Sequence, residues 1–158
     1  MTVKSERGFT IIELLIVGII VCVLATLVAM TYSGVQAKNY NAGRQVSIDA
    51  AQNQLESYYA KTSQYPNLAE LNSTTWRQAN AVNLSGSDMA DPQWKSSLAA
   101  CTVNGQPAFS SKPTTGCYAY QATTADGSSC ATSGTVCAQY TLTASLENHQ
   151  TYVKTSLN

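Results

Sequence analysis

From Phe9 to Met30 the chain carries 22 residues in which Glu13 is the only ionisable side chain apart from the Cys22 thiol. At about 1.5 Å per residue, a helix of that length covers roughly 33 Å, close to the hydrocarbon thickness of a bilayer. A polar leader holding Lys4, Glu6 and Arg7 precedes the run, so the positive end is expected to stay cytoplasmic and everything beyond Met30 to lie outside. An ordinary secretory signal fits poorly, since its apolar centre would be about 7 to 15 residues with a small-x-small cleavage site after it.

Glu13 needs a reason. A carboxylate in such a segment costs on the order of 2.5 to 3.5 kcal/mol on insertion scales, and groups kept at that cost have partners. No lysine or arginine in the run can serve. A cut between Gly8 and Phe9 would create a partner, because the new Phe9 amino group would be a cation at the membrane edge. Phe9 and Glu13 stand at i and i+4, so the pair can form within one helix or between neighbouring chains, where it would set their stagger.

The stretch Gly8-Phe9-Thr10-Ile11-Ile12-Glu13-Leu14-Leu15-Ile16-Val17 resembles the cleavage and assembly motif of type IV prepilins and the related pseudopilins. The resemblance covers the first 30 residues strongly and is one of architecture beyond them. It implies a membrane-embedded prepilin peptidase that cuts after Gly8 and methylates the amino group of Phe9, and it gives Glu13 the Phe9 amine of an adjacent subunit. It also implies a homo-oligomeric helical filament and an assembly platform and motor in the inner or cytoplasmic membrane. No catalytic residue is expected on separate grounds, since no serine or cysteine has a partner that the sequence can place beside it and phosphate-cradling motifs are absent. The plain alternative is a signal anchor with an incidental glutamate. Cys22 reads as a small apolar residue packed among helices.

Bulk numbers bound the rest. The 158 residues give room for one membrane helix and one small domain. Formal charge is zero, and removing residues 1–8 takes away Lys4, Arg7 and Glu6, leaving seven basic against eight acidic side chains, or −1. That balance makes no electrostatic case for direct nucleic-acid binding. The organisation expected is a leader at 1–8, a transmembrane and assembly helix at 9–30, and an exported domain at 31–158. That domain divides into an outer helix at 31–60, a loop region at 61–116 and an antiparallel sheet at 117–158. The fold class is α+β, pilin-like, with the outer half of a long N-terminal helix packed on the C-terminal sheet.

No proline interrupts the chain before Pro66, so a helix from Thr10 to about Ala60 would run about 75 Å. Ile48, Ala51, Leu55 and Tyr58 recur at steps of 3, 4 and 3 and mark its apolar stripe. Gly18, Gly34 and Gly43 each weaken it by about 1 kcal/mol relative to alanine. Many type IV pilins carry a helix-breaking proline near the position of Met30; its absence leaves Gly34 as the first candidate for a break, close helix packing being the other reading of these glycines. Leu68 to Asn80 reads as a short helix containing Leu71 and Trp76, and Ala81 to Lys112 as loop, with Trp94 tucked beneath it. Cys117 to Thr123 and Ala138 to Glu147 read as strands, the second with Tyr140, Leu142, Ala144 and Leu146 on one face. Asn148-His149 turns the chain into a third strand, Gln150 to Leu157, with Val153 and Leu157 facing inward.

Cys101, Cys117, Cys130 and Cys137 lie in the exported part, and an even number there argues for two disulfides among three possible connectivities. Cys101–Cys117 with Cys130–Cys137 is favoured because neighbours close short loops. Many pilins have a disulfide near the C-terminus, whereas major pseudopilins of type II secretion often have none and hold that region with calcium, so the cysteines favour a pilin. No cofactor or metal is expected: the cysteines form no C-x-x-C pair, and His149, the one histidine, sits in a turn. Asp88 and Asp91 offer carboxylates that a calcium site could use, but acidic residues in a polar loop are ordinarily solvated, and that reading is favoured. The expected product is a cytoplasmic-membrane precursor, single-pass with its N-terminus inside, that becomes the major subunit of a cell-surface pilus serving adhesion, twitching motility or DNA uptake. The rivals are a pseudopilin of a type II secretion or competence machine and a minor adhesive pilin displaying Trp76 and Trp94.

Overall fold

The computed structural model describes residues 8–81, 83–131 and 134–158. The leader residues Lys4, Glu6 and Arg7 therefore lie outside the described residues. Two units are distinguished, Met1–Ala37 and Lys38–Asn158, and the first helix, α1 (Ile11–Thr62), contributes to both.

In the first unit α1 is apolar all round. Side chains at consecutive positions, such as Ile19, Ile20 and Val21 or Val23 and Leu24, are each more than half exposed on the single chain. A helix without a polar face needs lipid or other helices around it. Its length and composition suffice to cross a membrane. Within the run, Thr26 hides its hydroxyl by donating to the Val23 carbonyl at 2.7 Å, the local solution open to a polar side chain in an apolar setting. Gly34 lies inside α1, so the break expected there is absent.

The second unit is α+β. Along α1 the residues Arg44, Ile48, Ala51 and Leu55 are buried, recurring at 4, 3 and 4 on one face. Ile48, Ala51 and Leu55 share a core with Leu71, Phe109, Tyr118, Tyr120, Tyr140 and Leu142. Tyr58, expected on the same stripe, is half-buried and meets Trp76 edge to face at 4.9 Å.

After α1 the chain forms α2 (Leu68–Asn72) and α3 (Thr74–Asn80), where the sequence suggests one helix. Ser73 divides them: its backbone N–H closes α2 on Glu70, and its side chain accepts from the Trp76 N–H to open α3. Asn67 and Glu70 close a reciprocal capping box at the start of α2.

The segment read as loop is mostly turns, pinned by buried Leu84, Met89, Ala108 and Phe109. It also holds a small hairpin, β1 (Thr102–Val103) and β2 (Gln106–Pro107). Its turn is Asn104-Gly105, both at positive φ, the pairing that two-residue hairpin turns favour. Trp94 is tucked as expected, its Nε1 donating to the Cys101 carbonyl at 3.2 Å.

Three strands complete the unit: β3 (Tyr118–Thr123), β4 (Gln139–Ser145) and β5 (Thr151–Thr155), antiparallel in that order. Register sets Tyr118 opposite Ala144, Tyr120 opposite Leu142 and Ala122 opposite Tyr140, so the core-facing residues of β3 and β4 meet. Ser110 bridges to the outer side of β3, donating to the Tyr118 carbonyl and accepting from the Tyr120 N–H, which occupies an edge otherwise open to pairing.

The third strand shows the other face to the core from the one expected. Val153 and Leu157 are 48% and 75% exposed, while Tyr152 packs against the core. Tyr152 Oη donates to Asp49 at 2.9 Å, and Lys154 pairs with Asp49 at 3.2 Å. Both are amphipathic side chains whose stems cover apolar surface while their tips find a carboxylate on α1. Choosing the inward face by hydropathy alone selects Val153 and Leu157 instead.

Candidate functional site

The residues around the expected cut stand at the start of α1. Gly8 and Phe9 are exposed, Phe9 at 79%. A Cβ placed on Gly8 would meet nothing within 4 Å. Among the described residues nothing supplies a steric reason for glycine there.

Thr10 and Glu13 form a capping box. The Thr10 hydroxyl oxygen accepts from the Glu13 N–H at 3.3 Å, and Glu13 Oε2 accepts from the Thr10 N–H at 3.5 Å. With the Gly8–Phe9 peptide intact there is no Phe9 amine, and the carboxylate rests one residue further on. Thr10-x-x-Glu13 is itself the sequence signal for this arrangement. The cap satisfies helix-end N–H groups and sets a negative charge against the positive end of the helix dipole.

The four cysteines of the second unit form Cys101–Cys117 and Cys130–Cys137. The first ties the start of the hairpin region to the start of β3. The second closes the connection between β3 and β4, beside an antiparallel bridge in which the Tyr65 N–H donates to the Cys137 carbonyl at 2.9 Å. Cys22 is an exposed free thiol on the apolar part of α1.

Asp91 is not the solvated acid expected. It is 3% exposed and holds Arg44, itself 1% exposed. Arg44 Nε donates to Asp91 Oδ2 at 2.7 Å and Nη2 to Oδ1 at 3.2 Å, a fork-to-fork pair. Arg44 Nη1 reaches Glu147 at 2.9 Å and Asn41 at 3.2 Å, and Nη2 reaches Gln93 at 2.9 Å. Burial disfavours the charged guanidinium, yet hydrogen bonds and charge from Asp91 and then Glu147 outweigh it and raise its pKa above the ordinary value. The centre joins α1, the loop after α3 and the β4–β5 connection. Its two carboxylates have a cation already in place, which makes it a fastening between these three segments.

A second fastening uses Glu56, which accepts from Tyr65 Oη at 3.0 Å, Tyr140 Oη at 2.7 Å and the Leu157 N–H at 3.2 Å. Burial pushes the Tyr65 phenol up to about 12 and raises that of Tyr140 as well, the Glu56 carboxylate adding to both. Among the described residues no group of three or more His, Cys, Asp or Glu side chains is placed to hold a metal ion. His149 is exposed in the short turn before β5 at φ 60°. Comparison with protein-family models, curated proteins and solved structures finds no match to this chain.

Proposed function

We propose that the chain is the structural, major subunit of a type IV pilus, made as a membrane precursor and cut after Gly8 by a prepilin peptidase. Phe9 then becomes the N-methylated first residue. The observation that carries this reading is an apolar helix with no polar face, preceded by an exposed Gly8–Phe9 peptide and bearing one carboxylate, Glu13. Such a surface is satisfied first by lipid and then by the same helix in neighbouring subunits. Before the cut, Glu13 caps its own helix; after it, the new Phe9 amine of an adjacent subunit offers a full positive charge, a stronger partner than a backbone N–H. The two disulfides support an exported domain built to last outside the cell.

Glu13→Gln and Glu13→Ala together test the role of the charge, because glutamine keeps the capping box and removes only the negative charge. Both variants are expected to be inserted and processed, and both to give few sheared filaments. Normal filament yield from Glu13→Gln would mean that the cap, and not the charge, is what assembly needs.

A further inference from the structure

The second unit carries an open cleft of about 700 Å³ between α2, the start of α3 and the β1–β2 hairpin, within the size range of small-molecule sites. Arg77, on α3, lines it while only 7% exposed. Its Nη1 donates to the Leu71 carbonyl at 2.8 Å and its Nη2 reaches Thr74 Oγ1 at 3.5 Å. These use two of the five guanidinium donors. No carboxylate pairs with Arg77 among the described residues, and burial without one lowers its pKa from the ordinary value. The guanidinium nonetheless stays protonated. Nε makes no hydrogen bond and is not among the fully buried polar atoms that lack a partner, so it keeps some access to solvent, and Arg77 is one of the residues lining the cleft. The contrast with Arg44, whose charge is fully answered by Asp91 and Glu147, is sharp.

The remaining lining selects among anions. One guanidinium answers one negative charge, which suits a carboxylate better than a phosphate monoester carrying about −1.5 to −2. Among the described residues no aromatic side chain lines the cleft, so a nucleotide base would find no stacking surface there. Asn104 and Gln106 offer neutral amides, while Val103 and Pro107 offer apolar walls. This mixture suits the hydroxyls and the C–H face of a sugar ring.

We propose that this cleft binds a hydroxyl-rich monocarboxylate, an acidic sugar, with the carboxylate on Arg77 and ring hydroxyls on Asn104 and Gln106. A separate depression of about 290 Å³ borders the cleft, sharing Leu68 and Ala131 with it. The site belongs to Lys38–Asn158 alone and holds whether or not the chain enters a filament.

The test is a titration of the full-length chain in detergent micelles with glucuronate, glucose and inorganic phosphate in parallel, read by nitrogen–proton correlation NMR. Saturable shifts of the Arg77 Nε–H and Gln106 amide signals are expected with glucuronate, with glucose weaker by about tenfold or more, the value of a charge-assisted hydrogen bond. Arg77→Met is expected to abolish binding. Because Arg77 is buried and that variant could misfold, Ala69→Trp serves beside it: Ala69 is exposed and lines the cleft, so tryptophan there fills the space without opening the core. Glucose binding as tightly as glucuronate, phosphate binding more tightly, absence of glucuronate binding, or unchanged binding in Ala69→Trp would each overturn the proposal.

Discussion

Arg44 and Asp91 show how far a single residue pair can stay hidden in a sequence. They stand 47 positions apart, Arg44 on a helix where an arginine is ordinarily solvated and Asp91 in a segment rich in polar residues. Only the fold buries both. Breaking a buried pair from one side leaves an uncompensated charge, so Asp91→Ala is expected to lower stability by about 3–5 kcal/mol. Glu147 is 29% exposed at its side chain and touches the same guanidinium, so Glu147→Ala is expected to cost only about 1 kcal/mol. Denaturant unfolding of the full chain in detergent reads both; equal losses would mean that Arg44 does not rest chiefly on Asp91. Gly8, Phe9 and Glu13 are the opposite case. They lie within six consecutive residues, so their spacing is visible without any fold, and the capping box between Thr10 and Glu13 is just as local.

Among elements, those specified by short-range chemistry are legible. The apolar stripe at Ile48, Ala51 and Leu55 marks the buried face of α1 within the second unit, and the alternation through Tyr140, Leu142 and Ala144 marks β4. Two signals of the same kind, Asn104-Gly105 for the hairpin and Ser73 between α2 and α3, are equally local and are masked by the polar composition around them. Strand β5 is not legible this way, because the reward for turning Tyr152 and Lys154 inward comes from Asp49 about a hundred residues earlier. The disulfides divide by the loops they close, with sequence separations of 16 for Cys101–Cys117 and 7 for Cys130–Cys137. Chain entropy then gives about 3 kcal/mol for the first and roughly 2.4 kcal/mol for the second. Paired Cys→Ser variants, compared by thermal unfolding, are expected to show the larger loss for Cys101 with Cys117; the reverse order would mean that packing around the Cys137–Tyr65 bridge outweighs loop length.

For the molecule as a whole, its two units have opposite needs. Met1–Ala37 presents an apolar helix whose described large side chains are at least half exposed, whereas Lys38–Asn158 has a closed core rich in tyrosine, with Tyr65, Tyr118, Tyr120 and Tyr140 all buried. Burial raises the phenol of Tyr118, like that of Tyr65, to about 12, and raises those of Tyr120 and Tyr140 too. The unfolded chain releases these protons near pH 10 and the folded one retains them. Their contribution to stability is therefore complete below about pH 10 and is lost as pH rises towards 12 and beyond. Phenolate absorbance during a rapid alkaline titration is expected to show a group of tyrosines that ionise only with unfolding; smooth titration of all nine tyrosines near pH 10 would contradict a closed core. The helix of the other unit is tested by the filaments it is proposed to build. Filaments sheared from cells that express the chain with an active prepilin peptidase are collected, and the first residue of their main subunit is identified by mass spectrometry. Abundant chains beginning at N-methylated Phe9 are the predicted result; chains retained in the membrane and still beginning at Met1 would contradict it.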